Sequence, residues 1–231
     1  MSENEHNTPT PLRGGKLNSS HEVILNQTIY QLKIILVGDT SVGKTSLVNR
    51  FMGYDFEENL KCTVNADFKI KSVSISSNIG AELTVWDTCG QERFRSMTRQ
   101  YFKDAHGVVL VFDVGDLESY NNLSSWMKEI KTNSNRDPEI VLVANKIDRE
   151  DRKVTKETGM KFAEKNGIMY TETSSKEGIN IDTPFEKLAK SLVEKIQSNP
   201  NLNNNNDDDY IKNYGIKKEL EKNREKDIKC C

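Results

Sequence analysis

A short apolar run ending at Val37 leads directly into Gly38-Asp39-Thr40-Ser41-Val42-Gly43-Lys44-Thr45, and few strings constrain a fold so tightly. It satisfies G-x-x-x-x-G-K-[ST] between a predicted strand and a predicted helix. The glycines let the backbone wrap closely, so that N–H groups point inward at phosphate oxygens. Lys44 reaches the β and γ phosphates, and Thr45 offers a hydroxyl to Mg²⁺. Chance would produce the pattern in about 1% of chains of this length at average residue usage. A plain glycine turn after a strand is the weaker reading. By itself the loop specifies a nucleoside triphosphate and leaves ATPases, kinases and GTPases open.

Around this loop, short apolar runs alternate with longer segments of helical period, the pattern of an α/β domain with a mostly parallel sheet. Six strands are predicted, at 31–37, 68–75, 83–87, 108–113, 140–145 and 169–172, flanked by five helices. The last helix is the clearest, because Phe185, Leu188, Ala189, Leu192, Val193 and Ile196 form one apolar stripe. Thr183 is predicted to cap it, with Pro184 at its first position and Glu186 completing a capping box. The domain is expected to span 29–198. Residues 1–28 hold few apolar groups, and in 199–231 an Asn run enters Asp207, Asp208 and Asp209. Both ends are expected to be disordered, the second as a flexible tail.

The 33 basic and 35 acidic side chains leave a charge of −2, which provides no basic excess for gripping nucleic acid. Apolar runs such as 108–112 fall far short of the ~18 residues of a membrane helix, and the polar start is not that of a secretory leader. Cys62 and Cys89 stand alone while Cys230 and Cys231 are adjacent, which gives neither a disulfide framework nor zinc spacing. A reducing cell interior is expected.

Asn145-Lys146-Ile147-Asp148 follows the fifth predicted strand. A carboxylate can accept both N1–H and N2–H of guanine, and adenine has no matching donor pair. The strand's carboxyl end is where open α/β sheets bind ligands. After the last strand comes Glu172-Thr173-Ser174-Ser175-Lys176, where a backbone N–H can meet the guanine O6. With these pieces the chain resembles the Ras superfamily of small GTPases, and the Rab family within it. Trp86-Asp87-Thr88-Cys89-Gly90-Gln91-Glu92-Arg93-Phe94 is similar to that family's second switch.

The resemblance implies nucleotide contacts from Gly38 through Ser46, together with Asn145, Lys146, Asp148, Ser174, Ser175 and Lys176. It implies that Asp87 binds Mg²⁺ through water, that the Gly90 N–H senses the γ-phosphate, and that Gln91 orients the attacking water. Thr63, nineteen residues past Lys44, is implied as a Mg²⁺ ligand touching the γ-phosphate, and Phe56 as a ring stacked edgewise on the base. Lys44, Thr63 and Gln91 are thus the implied catalytic groups, and Thr45, Thr63 and Asp87 the metal ligands. Read without the family, Asp87 is an ordinary polar strand end and Phe56 can equally be core.

A GTP-hydrolysing switch follows, its two loops ordered by a shared γ-phosphate and released after hydrolysis. Leu60 stands where Gα proteins carry a built-in arginine, so hydrolysis is expected to be slow alone. A GTPase-activating partner supplying an arginine is worth ~10³ to 10⁵ in rate. An exchange factor, a GDP-dissociation inhibitor or escort protein, and GTP-dependent effectors of vesicle traffic complete the implied partners of a monomer. Rab proteins commonly end in paired cysteines, so Cys230 and Cys231 are implied geranylgeranylation sites. Two lipid chains suffice for stable attachment to a cytoplasmic membrane face, with a cytosolic pool. Between Lys212 and Lys229 seven basic residues face four acidic ones, too weak a bias to anchor alone.

Several positions depart from the family pattern. Ser41 replaces a glycine common in Rab proteins, Cys89 an alanine, and Asn65 the glycine of Thr-Ile-Gly-Val-Asp-Phe. Asn tolerates left-handed backbone and adds an amide to the surface that effectors read. Cys62 and Cys89 are read as small replacements rather than redox thiols. Thr40, Ser41 and Cys89 keep open the alternative of a GTP-holding scaffold with negligible turnover. A P-loop ATPase is opposed by Asp148.

Overall fold

The computed structural model describes residues 27–58, 60, 63, 67–88, 101–198 and 217–219. Its strands are β1 (Gln27–Val37), β2 (Asp67–Ser76), β3 (Ile79–Asp87), β4 (Gly107–Asp113), β5 (Glu139–Asn145), β6 (Met169–Glu172) and β7 (Lys217–Glu219). Its helices are α1 (Lys44–Phe51), α2 (Leu117–Asn121), α3 (Leu123–Asn133), α4 (Lys156–Asn166) and α5 (Thr183–Ser198). The sheet runs β2-β3-β1-β4-β5-β6. The β2–β3 hairpin is antiparallel, and β3, β1, β4, β5 and β6 are mutually parallel. Six predicted strands are therefore present, and a seventh lies inside the tail expected to be flexible. There Thr28 pairs with Lys218 in an antiparallel ladder on the first residues of β1. The sheet also begins earlier than the sequence suggests, at Gln27 rather than 31.

Strand β1 shows how the chain divides its apolar residues. Leu32, Ile34 and Leu36 point into one core with α1 and α5, while Ile35 and Val37 enter a second core with α3. That alternation is the period of two that any strand imposes. In contrast, β4 is buried at every position and β5 at all but its first, as expected for parallel strands covered on both faces. The α5 stripe is buried throughout, and Phe185 stacks on Phe51 at 3.9 Å. Truncating such a side chain to alanine costs ~3–5 kcal/mol. The helix start differs by one residue from expectation. Thr183 is already helical, and the Glu186 N–H donates to the Asp182 carbonyl, so Asp182 closes the first turn.

Among the described residues no helix is long and apolar enough to cross a membrane. The loops that follow β1, β4, β5 and β6 all emerge at the carboxyl edge of the sheet. This edge carries the candidate site.

Candidate functional site

A cleft of about 400 Å³ opens there, lined by Thr40, Ser41, Gly43, Lys44, Thr45, Ser46, Phe56, Thr63, Asn145, Lys146, Asp148, Ser175 and Lys176 among the expected residues. Glu57, Glu58, Leu60, Thr88 and Arg149 also line it. Gly38, Asp39, Val42, Asp87 and Ser174 stand behind the lining and act on it through hydrogen bonds. Gly90, Gln91, Asn65, Cys62, Cys89, Cys230 and Cys231 lie outside the described residues.

The phosphate loop is shaped by contacts that only glycine permits. A Cβ on Gly38 would stand 2.2 Å from the Val111 carbonyl oxygen, and one on Gly43 would stand 2.4 Å from Asn145 Nδ2. Both residues have positive φ. Helix α1 begins after Gly43 with no side-chain cap and no acidic residue in its first turn. Its first N–H groups are thus left to an anion. Lys44 is 5% exposed and donates through Nζ to the Gly38 and Asp39 carbonyls at 2.9 and 2.7 Å. Ser41 holds φ +63, a left-handed conformation that glycine adopts without strain.

At one end of the cleft Thr45, Thr63 and Asp87 converge. Thr45 Oγ1 donates to Asp87 Oδ2 at 2.7 Å and lies 2.8 Å from Thr63 Oγ1. With its one hydrogen spent on Asp87, Thr45 accepts from Thr63. Asp87 is 6% exposed, and among the described residues its buried Oδ1 has no hydrogen-bond partner. Burial pushes its carboxyl above the ordinary range, against the opposing pull of the Thr45 hydroxyl and Lys44. A buried carboxylate oxygen with no partner, beside two hydroxyls, forms an oxygen-only set suited to Mg²⁺, the remaining positions falling to phosphate and water.

The other end is tied together by the protein itself. Asn145, fully buried at the end of β5, donates to the Val42 carbonyl at 2.9 Å and accepts from Thr173 Oγ1 at 3.0 Å. It stitches the phosphate loop to the loop after β6. Lys146, at φ +61, donates to the Ser41 carbonyl at 2.7 Å and pairs with Asp113 at 2.8 Å. Asp148 accepts from Ser174 Oγ at 2.5 Å. Asp113, nearly buried, also takes Arg149 Nη1 at 3.0 Å and the Gly115 N–H at 2.8 Å.

Sequence reasoning missed two features. Asp113 and Arg149 form one latch behind Lys146, and they are too far apart in the chain for a local motif to join them. Phe68, Trp86 and Tyr101 form an aromatic row beside the metal end, with centroids 5.0 and 5.5 Å apart. Phe68 and Ile70 are 49% and 54% exposed on the outer strand. Their i, i+2 spacing in a predicted strand was the available signal, and facing Phe68 to Trp86 required the β2–β3 register.

A phosphate loop after the first strand and a base pocket after the fifth, opening on one cleft of a mostly parallel sheet, make this a P-loop nucleotide-binding protein. Residues 33–194 match the model of the Ras family. The chain is 41% identical to Ras-related protein Rab-18 of Lymnaea stagnalis over 177 residues, 76% of this chain and 85% of the relative. It is 42% identical to Ras-related protein Rab-13 of Bos taurus over 175 residues, 75% and 85% of the two chains. With Ras-related protein Rab-12 of Homo sapiens it shares 41% identity over 169 residues, 72% and 69%. The chain belongs to the Ras family of small GTPases. It is a Rab-like GTP hydrolase, and membership implies GTP, GDP and Mg²⁺ as its ligands and the general classes of regulator that Rab-like GTPases use.

Proposed function

We propose that the chain is a lipid-anchored switch of intracellular vesicle traffic that recruits effectors in its GTP state. The observation carrying this reading is the Thr45–Thr63–Asp87 corner, where a loop threonine meets the metal end through a hydroxyl contact at 2.8 Å. A segment that meets the metal end there takes its order from what binds. When bound, Mg²⁺ supplies positive charge that offsets the β and γ phosphates. Thr45, Thr63 and Asp87 would hold it. Lys44 donates hydrogen bonds through its ammonium to phosphate oxygens, and the first N–H groups of α1 receive the phosphates. Asp148 accepts from the guanine N–H groups, Ser174 steadying its carboxylate, while Lys146 and Phe56 flank the base. Gly90 reads the γ-phosphate, and Gln91 orients the water that attacks it.

Phe68 and Trp86 pair one position along the β2–β3 ladder from Asp87, and Tyr101 packs on Trp86, so effectors that dock on exposed apolar surface there would sense the nucleotide state. Prenylation of Cys230 and Cys231 would hold the switch on a cytoplasmic membrane face, and a dissociation inhibitor or escort protein would carry the cytosolic pool. Two variants test the reading together. Gln91→Leu should remain GTP-bound with an active GTPase-activating protein present, and Cys230→Ser/Cys231→Ser should turn a discrete membrane distribution diffuse. Hydrolysis unchanged in the first, or membrane marking unchanged in the second, would contradict it.

A further inference from the structure

The phosphate loop contains a carboxylate, which is poorly suited to holding anions. Asp39 sits directly after Gly38, yet its side chain does not line the cleft. It turns the other way, toward the junction of α2 and α3. Asp39 Oδ2 accepts from Asn122 Nδ2 at 2.7 Å, and Asp39 Oδ1 accepts from the Trp126 indole N–H at 2.7 Å. Asn122 separates the two helices, and its side chain makes no capping bond to α3. Trp126 follows four residues later, on the same face one turn along. It is 4% exposed, and a buried indole N–H requires an acceptor.

The chemistry of this triangle is specific. Two donors converge on one residue, and a carboxylate offers both with an acceptor, whereas an amide offers one acceptor and one donor. Meanwhile the Asp39 carbonyl accepts from Lys44 Nζ, and the next two residues, Thr40 and Ser41, line the cleft. One residue therefore joins the second core, through Trp126, to the loop that faces phosphate.

We propose that Asp39, Asn122 and Trp126 form a brace that fixes the phosphate loop against α3, and that this brace sets how long nucleotide is retained. Asp39 is a positioning residue. The inference rests on the reading that the loop from Gly38 to Thr45 holds the nucleotide phosphates. Electrostatics and bracing make opposite demands on one substitution. Removing a negative charge near bound phosphates should slow nucleotide release, whereas breaking the brace should speed it.

The test is release of fluorescent GDP from the full chain in excess Mg²⁺ and unlabelled GDP. Asp39→Asn should release it about tenfold faster, the scale of a hydrogen bond to a charged group. Asp39→Asn/Asn122→Asp exchanges the two side chains. The amide at position 39 then donates to the carboxylate at position 122 and still accepts from Trp126, and the rate should return to within about threefold of wild type. Trp126→Phe and Asn122→Ala should each release GDP about threefold faster, and they give the same reading if Asp39→Asn does not fold.

A spectroscopic signature accompanies the rates. The Trp126 indole N–H resonance, identified by its loss in Trp126→Phe, should move in nucleotide-free Asp39→Asn and return in the exchanged pair. Release from Asp39→Asn that is slower than or equal to wild type overturns the brace. So does an exchanged pair that melts like wild type yet releases as fast as Asp39→Asn. Lys44→Ala separates the two levels of argument. If it retains GDP as wild type does, the phosphate-loop reading itself fails. If it loses GDP while the Asp39 variants behave like wild type, only the brace fails.

Discussion

The two ends of the cleft are prepared for ligand in opposite ways. At the base end Asn145, Lys146 and Asp148 each have a protein partner within 3 Å, and Asp113 holds Lys146 and Arg149 from behind. At the metal end, among the described residues, Asp87 keeps one buried oxygen without a partner, and Thr63 reaches Thr45 through its hydroxyl. Preorganised groups bind without paying for ordering, and incomplete ones gain order from what completes them. On the proposed reading, the base end holds nucleotide in either state, and the metal end registers which nucleotide it is.

Asp87→Asn should widen this difference most. Retention of GDP should lose its dependence on Mg²⁺, a loss on the order of a hundredfold in release rate when magnesium is compared with a chelator. The same variant should melt higher than wild type when free of nucleotide. The Asp87 carboxyl lies above its ordinary value near 3.8, so the folded chain holds a proton that the unfolded chain has lost. Stability then falls as pH rises through the window between those values, and asparagine removes the fall. A nucleotide-free variant that melts lower than wild type at neutral pH would show that Asp87 is not uncompensated.

Next in size is Asp148→Ala, which should cut the preference for GDP over ADP by ~10- to 100-fold, the value of a bidentate pair. A competition titration measures it. Thr173→Val removes a donor to Asn145 while Ser175 Oγ still approaches at 3.4 Å. It should cost ~1 kcal/mol and speed release of GDP and of a GTP analogue equally. Unequal acceleration would mean that the base end also distinguishes the states. Smallest is Ser41→Gly, which relieves a left-handed serine and should raise stability by ~1 kcal/mol in thermal melts, a value offset in part by glycine's greater unfolded entropy.

The same contrast explains what can be read before the fold is known. The phosphate loop and Asn145-Lys146-Ile147-Asp148 are contiguous strings whose spacing carries their chemistry, and the strands carrying them show as apolar runs. Asp39 reads as a nucleotide contact because it stands inside the loop string. Its side chain serves Asn122 and Trp126 instead, and a bond spanning so much sequence leaves no local pattern. The Asp113 latch and the aromatic row escape for that reason also. The three-residue strand β7 is hidden by its surroundings, since a polar, charged tail gives no alternation to detect.

The most direct test is amide hydrogen exchange on the full chain loaded with GDP and then with a GTP analogue that resists hydrolysis. Protection at 144–148 and 171–175 should agree between the two states within about twofold, while peptides containing Thr63 and Asp87 should gain about tenfold or more with the analogue. Equal changes at both ends, or changes confined to the base end, would contradict a preformed base pocket and a metal end that reads the phosphate.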